Sequence, residues 1–261
     1  MPNLHPVCFA LLVVVSLTCL PGCKAQVTLP GLVDSIQTLT ERGFATLDVE
    51  PVDDAIRLID RALAVAPTDS VLLHYRGYAL YRKGSLLSAA RRTREAKAVL
   101  DSAAASLTQA GKTLDWPENP ALLAATLGQQ ISLGGGPFSA MRLGTRANGL
   151  LDDATRRGPH NPRVFLVRGI SAMFKPRLFG GGVDKAGADL EHAASLFQDD
   201  SARAPHPAWG KSEVFQWLGW VRARQGRIPD ARSAYARALQ LDPDNRFVRD
   251  SLLPALSKTN R

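Results

Sequence analysis

Small and apolar residues recur in the C-terminal part of the chain with the spacing of two paired helices. Between residues 212 and 243, positions three or four apart predict one helix before Gly226 and a second helix after it. The first helix is marked by Phe215, Leu218, Gly219 and Arg222, and the second by Ala231, Tyr235 and Ala238. Pro243 cannot continue a helix interior, so it predicts the end of the pair. Gly219 and Ala231 leave room for the two helices to approach closely.

The same marks recur nearer the N-terminus at a period of about 34 residues, which is typical of helical repeats. One unit carries Leu73, Gly77, Leu80, Gly84, Ala89 and Ala96, and the unit before it carries Leu39, Gly43, Ala55, Ile59, Ala62 and Pro67. The glycine, the two alanines and the closing proline together resemble the tetratricopeptide repeat. This resemblance implies that helix pairs stack side by side, because a single pair cannot bury its apolar face alone.

The middle of the chain predicts two further, less regular pairs. Residues 119–133 and 138–157 predict the third pair around a Gly-Gly-Gly-Pro break, and Asn161-Pro162 opens the fourth pair. Within the fourth pair, residues 175–182 (KPRLFGGG) resemble a turn found in a group of bacterial repeat proteins. Extended turns are expected inside both pairs. The predicted fold is all-α, a right-handed α-solenoid of about five helix pairs.

Two connections between pairs are expected to be long, and the last helix pair is expected to carry a cap. The connections cover residues 101–117 and 198–210, and the cap covers residues 250–256.

The N-terminal segment has the pattern of a targeting signal and not of a folded element. Residues 7–20 form an apolar run that is short for a membrane span but typical of a signal-peptide core. It ends in Leu20-Pro21-Gly22-Cys23, which resembles the lipobox of bacterial lipoproteins and implies cleavage before Cys23 and acylation of that residue. An uncleaved signal anchor or an ordinary secretory peptide is the alternative. Lys24 after the cysteine resembles the outer-membrane sorting pattern.

These patterns divide the chain and predict where it resides. We expect a lipid-anchored protein of the cell envelope that faces the periplasm, at the outer membrane if the organism has one. The predicted parts are a signal peptide (residues 1–22), a linker (residues 23–35), a repeat domain (residues 36–257) and a tail (residues 258–261).

Composition narrows the chemistry that the chain can perform. The formal net charge is +8, but basic residues are spread along the chain, so we interpret them as solvated helix faces and expect no nucleic-acid partner. All three cysteines lie within the first 23 residues, which excludes disulfides and thiolate metal sites from the rest. The histidines show no i, i+4 pairing, and the glycine-rich segments lack a phosphate-loop lysine. We therefore expect no metal ion, no cofactor and no enzyme activity.

The resemblance instead implies a partner-binding surface on the first helix of each pair. The residues expected on its concave face are His74, Tyr78, Tyr81 and Arg82 in the second unit, and Gln216, Trp220 and Arg224 in the fifth. Aromatic rings and arginines are the residues that supply most binding energy at protein interfaces. The matching face of the fourth unit is apolar and is either a pocket or a surface covered by the extended turn. It comprises Leu166, Ile170, Met173 and Phe174.

The working hypothesis is a membrane-anchored adaptor that binds a protein or peptide in its concave groove. Two alternatives remain at this point. One is a lipid-anchored accessory component of a solute transporter with an apolar ligand cavity. The other is an enzyme with an unrecognised spatial site.

Overall fold

The computed structural model describes residues 28–258, which form eleven α-helices and no β-strand. The predicted signal peptide and Cys23 lie outside the described residues. A single 3-10 turn (Arg177–Phe179) follows α7, and a π-helical turn (Phe247–Leu252) precedes α11. The helices are α1 (Leu29–Thr46), α2 (Val49–Val65), α3 (Ser70–Ala89), α4 (Thr93–Ala110), α5 (Glu118–Ser132), α6 (Gly136–Arg157), α7 (Pro162–Phe174), α8 (Val183–Leu196), α9 (Glu213–Arg224), α10 (Ile228–Leu241) and α11 (Leu253–Lys258).

Helices α1 to α10 pack as five consecutive pairs, which we number as units one to five. The first helices of neighbouring units also contact one another, so that α1, α3, α5, α7 and α9 form an inner row. The predicted all-α, right-handed solenoid of five helix pairs is confirmed. One continuous core extends from α1 to α10, and a smaller cluster joins α10 to the C-terminal cap.

Glycines on the first helices allow the close helix contacts that the repeat pattern predicts. A Cβ atom at Gly77 would lie 2.4 Å from Leu107 Cγ, and one at Gly169 would lie 2.6 Å from Leu190 Cγ. In unit five a Cβ atom at Gly219 would lie 2.3 Å from Cε1 of Tyr235. Any larger residue would separate the helices of the pair, so these glycines set the repeat register.

Capping residues explain where several helices begin. Asp69 accepts hydrogen bonds from the backbone N–H groups of Val71 and Leu72, both at 2.9 Å, and so starts α3. Thr28 caps α1, and the proline that follows Leu29 fits a first helical turn. The first helix therefore begins at Leu29 and not at residue 36, the predicted start of the repeat domain.

Two of the predicted connections differ from the structure. Helix α4 continues to Ala110, because its buried alanines and leucines pack against α3, so residues 101–110 are helical. Only residues 133–135 separate α5 from α6, so unit three has a short turn rather than an extended one. The long turn of unit four and the long connection before α9 are present as predicted.

The C-terminal cap begins a few residues before the predicted one. Val248 and Leu256 are buried against Tyr235 of α10. No helix among residues 28–258 is long and apolar enough to cross a membrane.

Candidate functional site

Residues 198–212, here called the inserted segment, connect α8 to α9 and lie against the inner row of helices. The backbone N–H of Ala208 donates a hydrogen bond to Gln37 Oε1 of α1 at 2.8 Å. The Tyr75 hydroxyl of α3 donates to the carbonyl oxygen of Pro205, also at 2.8 Å. The Trp209 ring stacks on Tyr78 with centroids 5.4 Å apart, and Trp209 is only 4% exposed. The segment therefore fills the groove at units one and two.

The inserted segment also covers part of units three and four. The His206 ring lies 5.0 Å from the Trp116 ring, just before α5. Gly210 has a φ of 100°, and a Cβ atom there would lie 2.8 Å from Leu166 Cδ2 and 3.0 Å from Phe197 Cζ. Only glycine fits both the backbone conformation and the available space. Leu166 of the predicted apolar face is thus buried beneath the segment.

Three buried side chains, those of Tyr78, Arg82 and Glu213, and the partly exposed Glu41 form what we call the buried charge cluster, which ties α9 to the N-terminal units. The Arg82 guanidinium donates to both carboxylate oxygens of Glu213, at 3.1 and 2.5 Å. Its Nε donates to the Tyr78 hydroxyl at 3.2 Å, and that hydroxyl donates to the Glu41 carboxylate. Bidentate pairing of this kind fixes orientation as well as charge.

Two members of this cluster, Arg82 and Tyr78, keep one protonation state at neutral pH. Burial alone would lower the pKa of Arg82, but Glu213, Tyr78 and Glu41 outweigh burial and hold that pKa above its ordinary value. Burial raises the pKa of Tyr78, which stays a neutral phenol. Because neither group exchanges protons near neutral pH, the cluster acts as a structural clamp across residues 131 positions apart.

His74 is held neutral between α3 and α5. Its Nδ1 lies 3.1 Å from Asn119 Oδ1, and the Asn119 side-chain amide donates to the carbonyl oxygen of Leu107. Burial lowers the pKa of His74 to about 4, against the opposing effect of the Asn119 hydrogen bond. The ring packs edge-on against Tyr75 and Trp116, which makes His74 part of the core.

The open part of the inner surface carries an aromatic cluster formed by Phe174, Trp217 and Trp220. Their ring centroids lie 6.0 to 6.4 Å apart, and Phe174 is 67% exposed. Trp217 Nε1 donates to Glu213 Oε1 at 3.2 Å, so the buried charge cluster orients this ring. The Arg224 guanidinium lies 4.9 Å from the centre of the Trp220 ring. The cluster thus combines accessible rings with an exposed cation.

The structure separates the seven residues predicted to line the groove into two groups. Five are buried by the chain itself, so the expectation that they line an open groove is wrong. Trp209 and Glu213 cover Tyr78 and Arg82, His74 packs between α3 and α5, and Gln216 accepts a hydrogen bond from Asn245 of the C-terminal cap region. Trp220 is half-buried and Arg224 is exposed, so their role in partner binding stays a prediction. The buried residues are His74, Tyr78, Tyr81, Arg82 and Gln216.

Sequence reasoning did not identify Trp209 and Trp217 as important positions. Trp217 lies one turn before Trp220 on the same helix, a spacing that places both rings on one face. Trp209 follows Pro205 and Pro207 in a connection between helices. Such connections lie at the surface and are ordinarily polar. A tryptophan in such a segment is a signal that the segment packs against the domain.

The part of the chain that the structure describes contains no group of three histidine, cysteine or carboxylate side chains placed to share a metal ion.

Comparison with known proteins agrees with this architecture. The tetratricopeptide repeat family matches residues 212–245, which cover α9 and α10. The chain is similar to a thermophilic TPR protein of Thermus thermophilus, with 22% identity, 86% of this chain and 98% of that chain covered, and a TM-score of 0.58. It is also similar to the HusA haemophore of Porphyromonas gingivalis, with 22% identity, coverages of 74% and 92%, and a TM-score of 0.58. No curated protein matches the chain. The chain has the tetratricopeptide-repeat fold.

Proposed function

We propose that this protein is a non-enzymatic scaffold that binds a protein or peptide partner through the aromatic cluster. Solenoids of stacked helix pairs present extended concave surfaces, which proteins of this architecture use for binding. Here the inserted segment already fills much of that surface. The aromatic cluster is the observation that supports the proposal, because large rings remain accessible there and Phe174 is 67% exposed.

The residues of the cluster suit a partner with an apolar side chain next to an acidic group. Phe174 and Trp220 offer ring faces on which an apolar side chain can pack, and Arg224 offers a cation at their edge. Tryptophan and arginine are enriched among residues that dominate interface energetics. Because Trp217 is tied to Glu213 and through it to Arg82, the surface is preorganised and little side-chain entropy is lost on binding.

Membrane attachment through Cys23 is the second part of the proposal. Its support is the apolar run that ends in Leu20-Pro21-Gly22-Cys23. Acyl chains bury their methylene groups at ~0.8 kcal/mol each, and more than one chain gives stable anchoring. The scaffold would then capture its partner at the periplasmic face of the envelope.

The test is affinity capture from detergent-solubilised membranes with quantitative mass spectrometry. Phe174→Ala combined with Trp220→Ala should weaken partner binding by ~2 kcal/mol or more, which is roughly 30-fold in affinity. Phe247→Ala is the matched control, since Phe247 is an exposed phenylalanine (38%) in the C-terminal cap, outside the cluster. Recovery of the same partners at the same yield by a folded double variant would refute the proposal.

A small flat apolar molecule is the second candidate partner for the same rings. The observation that favours it is the convergence of three aromatic rings on an open face, together with a fold similar to that of a haemophore. Titration of the purified chain with haem, monitored by tryptophan fluorescence, tests whether the rings bind a flat apolar molecule instead of a peptide. Saturable quenching that Phe174→Ala weakens would favour it, and absence of quenching would exclude haem.

A further inference from the structure

The turn between α7 and α8, residues 175–182, presents two large apolar side chains to solvent. Leu178 is 89% exposed and Phe179 is 66% exposed. Other units join their two helices with two or three residues, such as residues 47–48 in unit one and residues 225–227 in unit five. The longer turn of unit four is therefore not required by the repeat. We call residues 175–182 the glycine turn.

Backbone hydrogen bonds hold the glycine turn in one conformation. The N–H of Gly182 donates to the carbonyl oxygen of Ala172 at 2.8 Å, and the N–H of Phe179 donates to that of Pro176 at 2.9 Å. A Cβ atom at Gly181 would lie 1.9 Å from the carbonyl oxygen of Lys175, so no other residue fits there. The turn therefore has a defined conformation, which holds Leu178 and Phe179 on the surface.

Positive charge surrounds these two apolar side chains. Lys175, Arg177 and Lys185 lie within or beside the turn, and residues 174–183 contain no acidic side chain. The nearest carboxylate in the sequence, that of Asp184, accepts a hydrogen bond from Gln225 Nε2 at 3.0 Å. Burial and the nearby Lys185 lower the pKa of Lys175 against the opposing effect of the Asp152 carboxylate, and Lys175 Nζ donates to Asn148 Oδ1. The turn thus exposes two apolar side chains, and the side chains of Arg177 and Lys185 lie beside it.

The same edge of the solenoid carries further exposed apolar side chains. The turn of unit three lies at the corresponding position of its helix pair, and the start of α6 follows it. Phe138 and Met141 in that helix start are 76% and 64% exposed. Apolar tips combined with lysine and arginine are the pattern of proteins that bind the interface of an anionic membrane.

We propose that the glycine turn inserts Leu178 and Phe179 into the headgroup boundary of an anionic phospholipid bilayer, with Arg177 and Lys185 facing the lipid phosphates. This inference rests on the proposed membrane location and deepens it, because it assigns the edge of the solenoid that faces the bilayer. The formal net charge of +8 for the whole chain acts in the same direction. With this edge on the membrane, α7 holds the aromatic cluster close to the lipid surface.

An environment-sensitive fluorophore on a single cysteine tests this orientation in the full chain. All three native cysteines lie in the first 23 residues and are replaced by serine, and Leu178→Cys supplies the labelling site. Val65→Cys is the matched control, because Val65 is 66% exposed at the C-terminal end of α2, on the opposite edge. The labelled chains are mixed with vesicles of phosphatidylcholine with or without phosphatidylglycerol.

The label at position 178 should shift to the blue and be quenched by nitroxide-labelled lipid in vesicles that contain phosphatidylglycerol, and the label at position 65 should not. Arg177→Gln with Lys185→Gln should abolish the response at position 178. A water-exposed label at 178 on vesicle-bound chain, or equal responses at both positions, would overturn the inference. Shielding of 178 without vesicles at high protein concentration would also overturn it, in favour of a second copy of the chain. Because Cys23 is absent here, failure of this test is distinguishable from failure of acylation or of partner capture.

Discussion

Replacing Gly219 with alanine tests the helix contact on which the repeat register depends. A Cβ atom at position 219 would lie 2.3 and 2.4 Å from two carbon atoms of the Tyr235 ring. Carbon atoms pack best at about 3.5–4.0 Å, so the ring or the helix must move by more than ~1 Å. Tyr235 is 1% exposed, which leaves little room for that movement.

The expected free-energy change follows from two opposing effects. Overpacking costs ~1–3 kcal/mol, and the severity of this contact favours the upper half of that range. Alanine regains about 1 kcal/mol over glycine inside a helix. Gly219→Ala should therefore lower the free energy of unfolding by about 1–2 kcal/mol.

Gly128→Ala is the matched control, because no atom lies within 4 Å of a Cβ built at that exposed position of α5. This variant should gain up to about 1 kcal/mol, and the helix-propensity effect cancels in the difference between the two variants. Urea denaturation followed by circular dichroism measures both midpoints, with the slope showing whether unfolding stays cooperative. A Gly219→Ala curve that overlays that of Gly128→Ala would refute the proposed close contact.

Three further predictions concern the buried groups and the N-terminal segment. Because the pKa of His74 falls from 6.5 to about 4 on folding, its contribution to stability is complete above pH 6.5 and is lost as the pH falls towards 4. The free energy of unfolding should fall by about 3 kcal/mol over this range. Urea midpoints of His74→Gln that fall as steeply with pH as those of the parent would contradict this role of His74. Arg82→Met leaves the buried Glu213 carboxylate without its partner and should cost ~3–5 kcal/mol; an unchanged urea midpoint would show that the ion pair contributes no net stability. Cys23→Ser should abolish acylation and release or stall the precursor, and unchanged membrane attachment with no difference in intact mass would exclude the lipoprotein hypothesis.

Local sequence signals were sufficient to predict most of the fold. Gly77 and Gly219 lie at close helix contacts, and Pro243 follows the end of α10, because each acts through its own backbone or its nearest neighbours. The start of α1 was also available from Thr28 and Pro30, which form an ordinary capping pattern. Such signals depend on residues within a few positions of one another.

The state of the groove could not be predicted in the same way. Tyr78 and Arg82 lie on the inner stripe of α3, where the repeat resemblance implied a partner-binding surface. Their partners, Trp209 and Glu213, come from the opposite end of the chain, and contact between such distant residues depends on the curvature of the whole solenoid. Nothing in the spacing of α3 indicates whether a distant segment returns to cover it.

The inserted segment fills the inner groove at units one and two, and we propose that the aromatic cluster is the binding surface that remains. Hydrogen exchange of the full chain, measured by mass spectrometry of peptides that cover residues 203–212, tests whether the segment is docked. We expect slow exchange of the Ala208 amide, which donates to Gln37, and faster exchange when Gln37→Ala removes that acceptor. Exchange of this segment in the parent chain as fast as that of the short turn at residues 133–135 would show that the segment does not fill the groove.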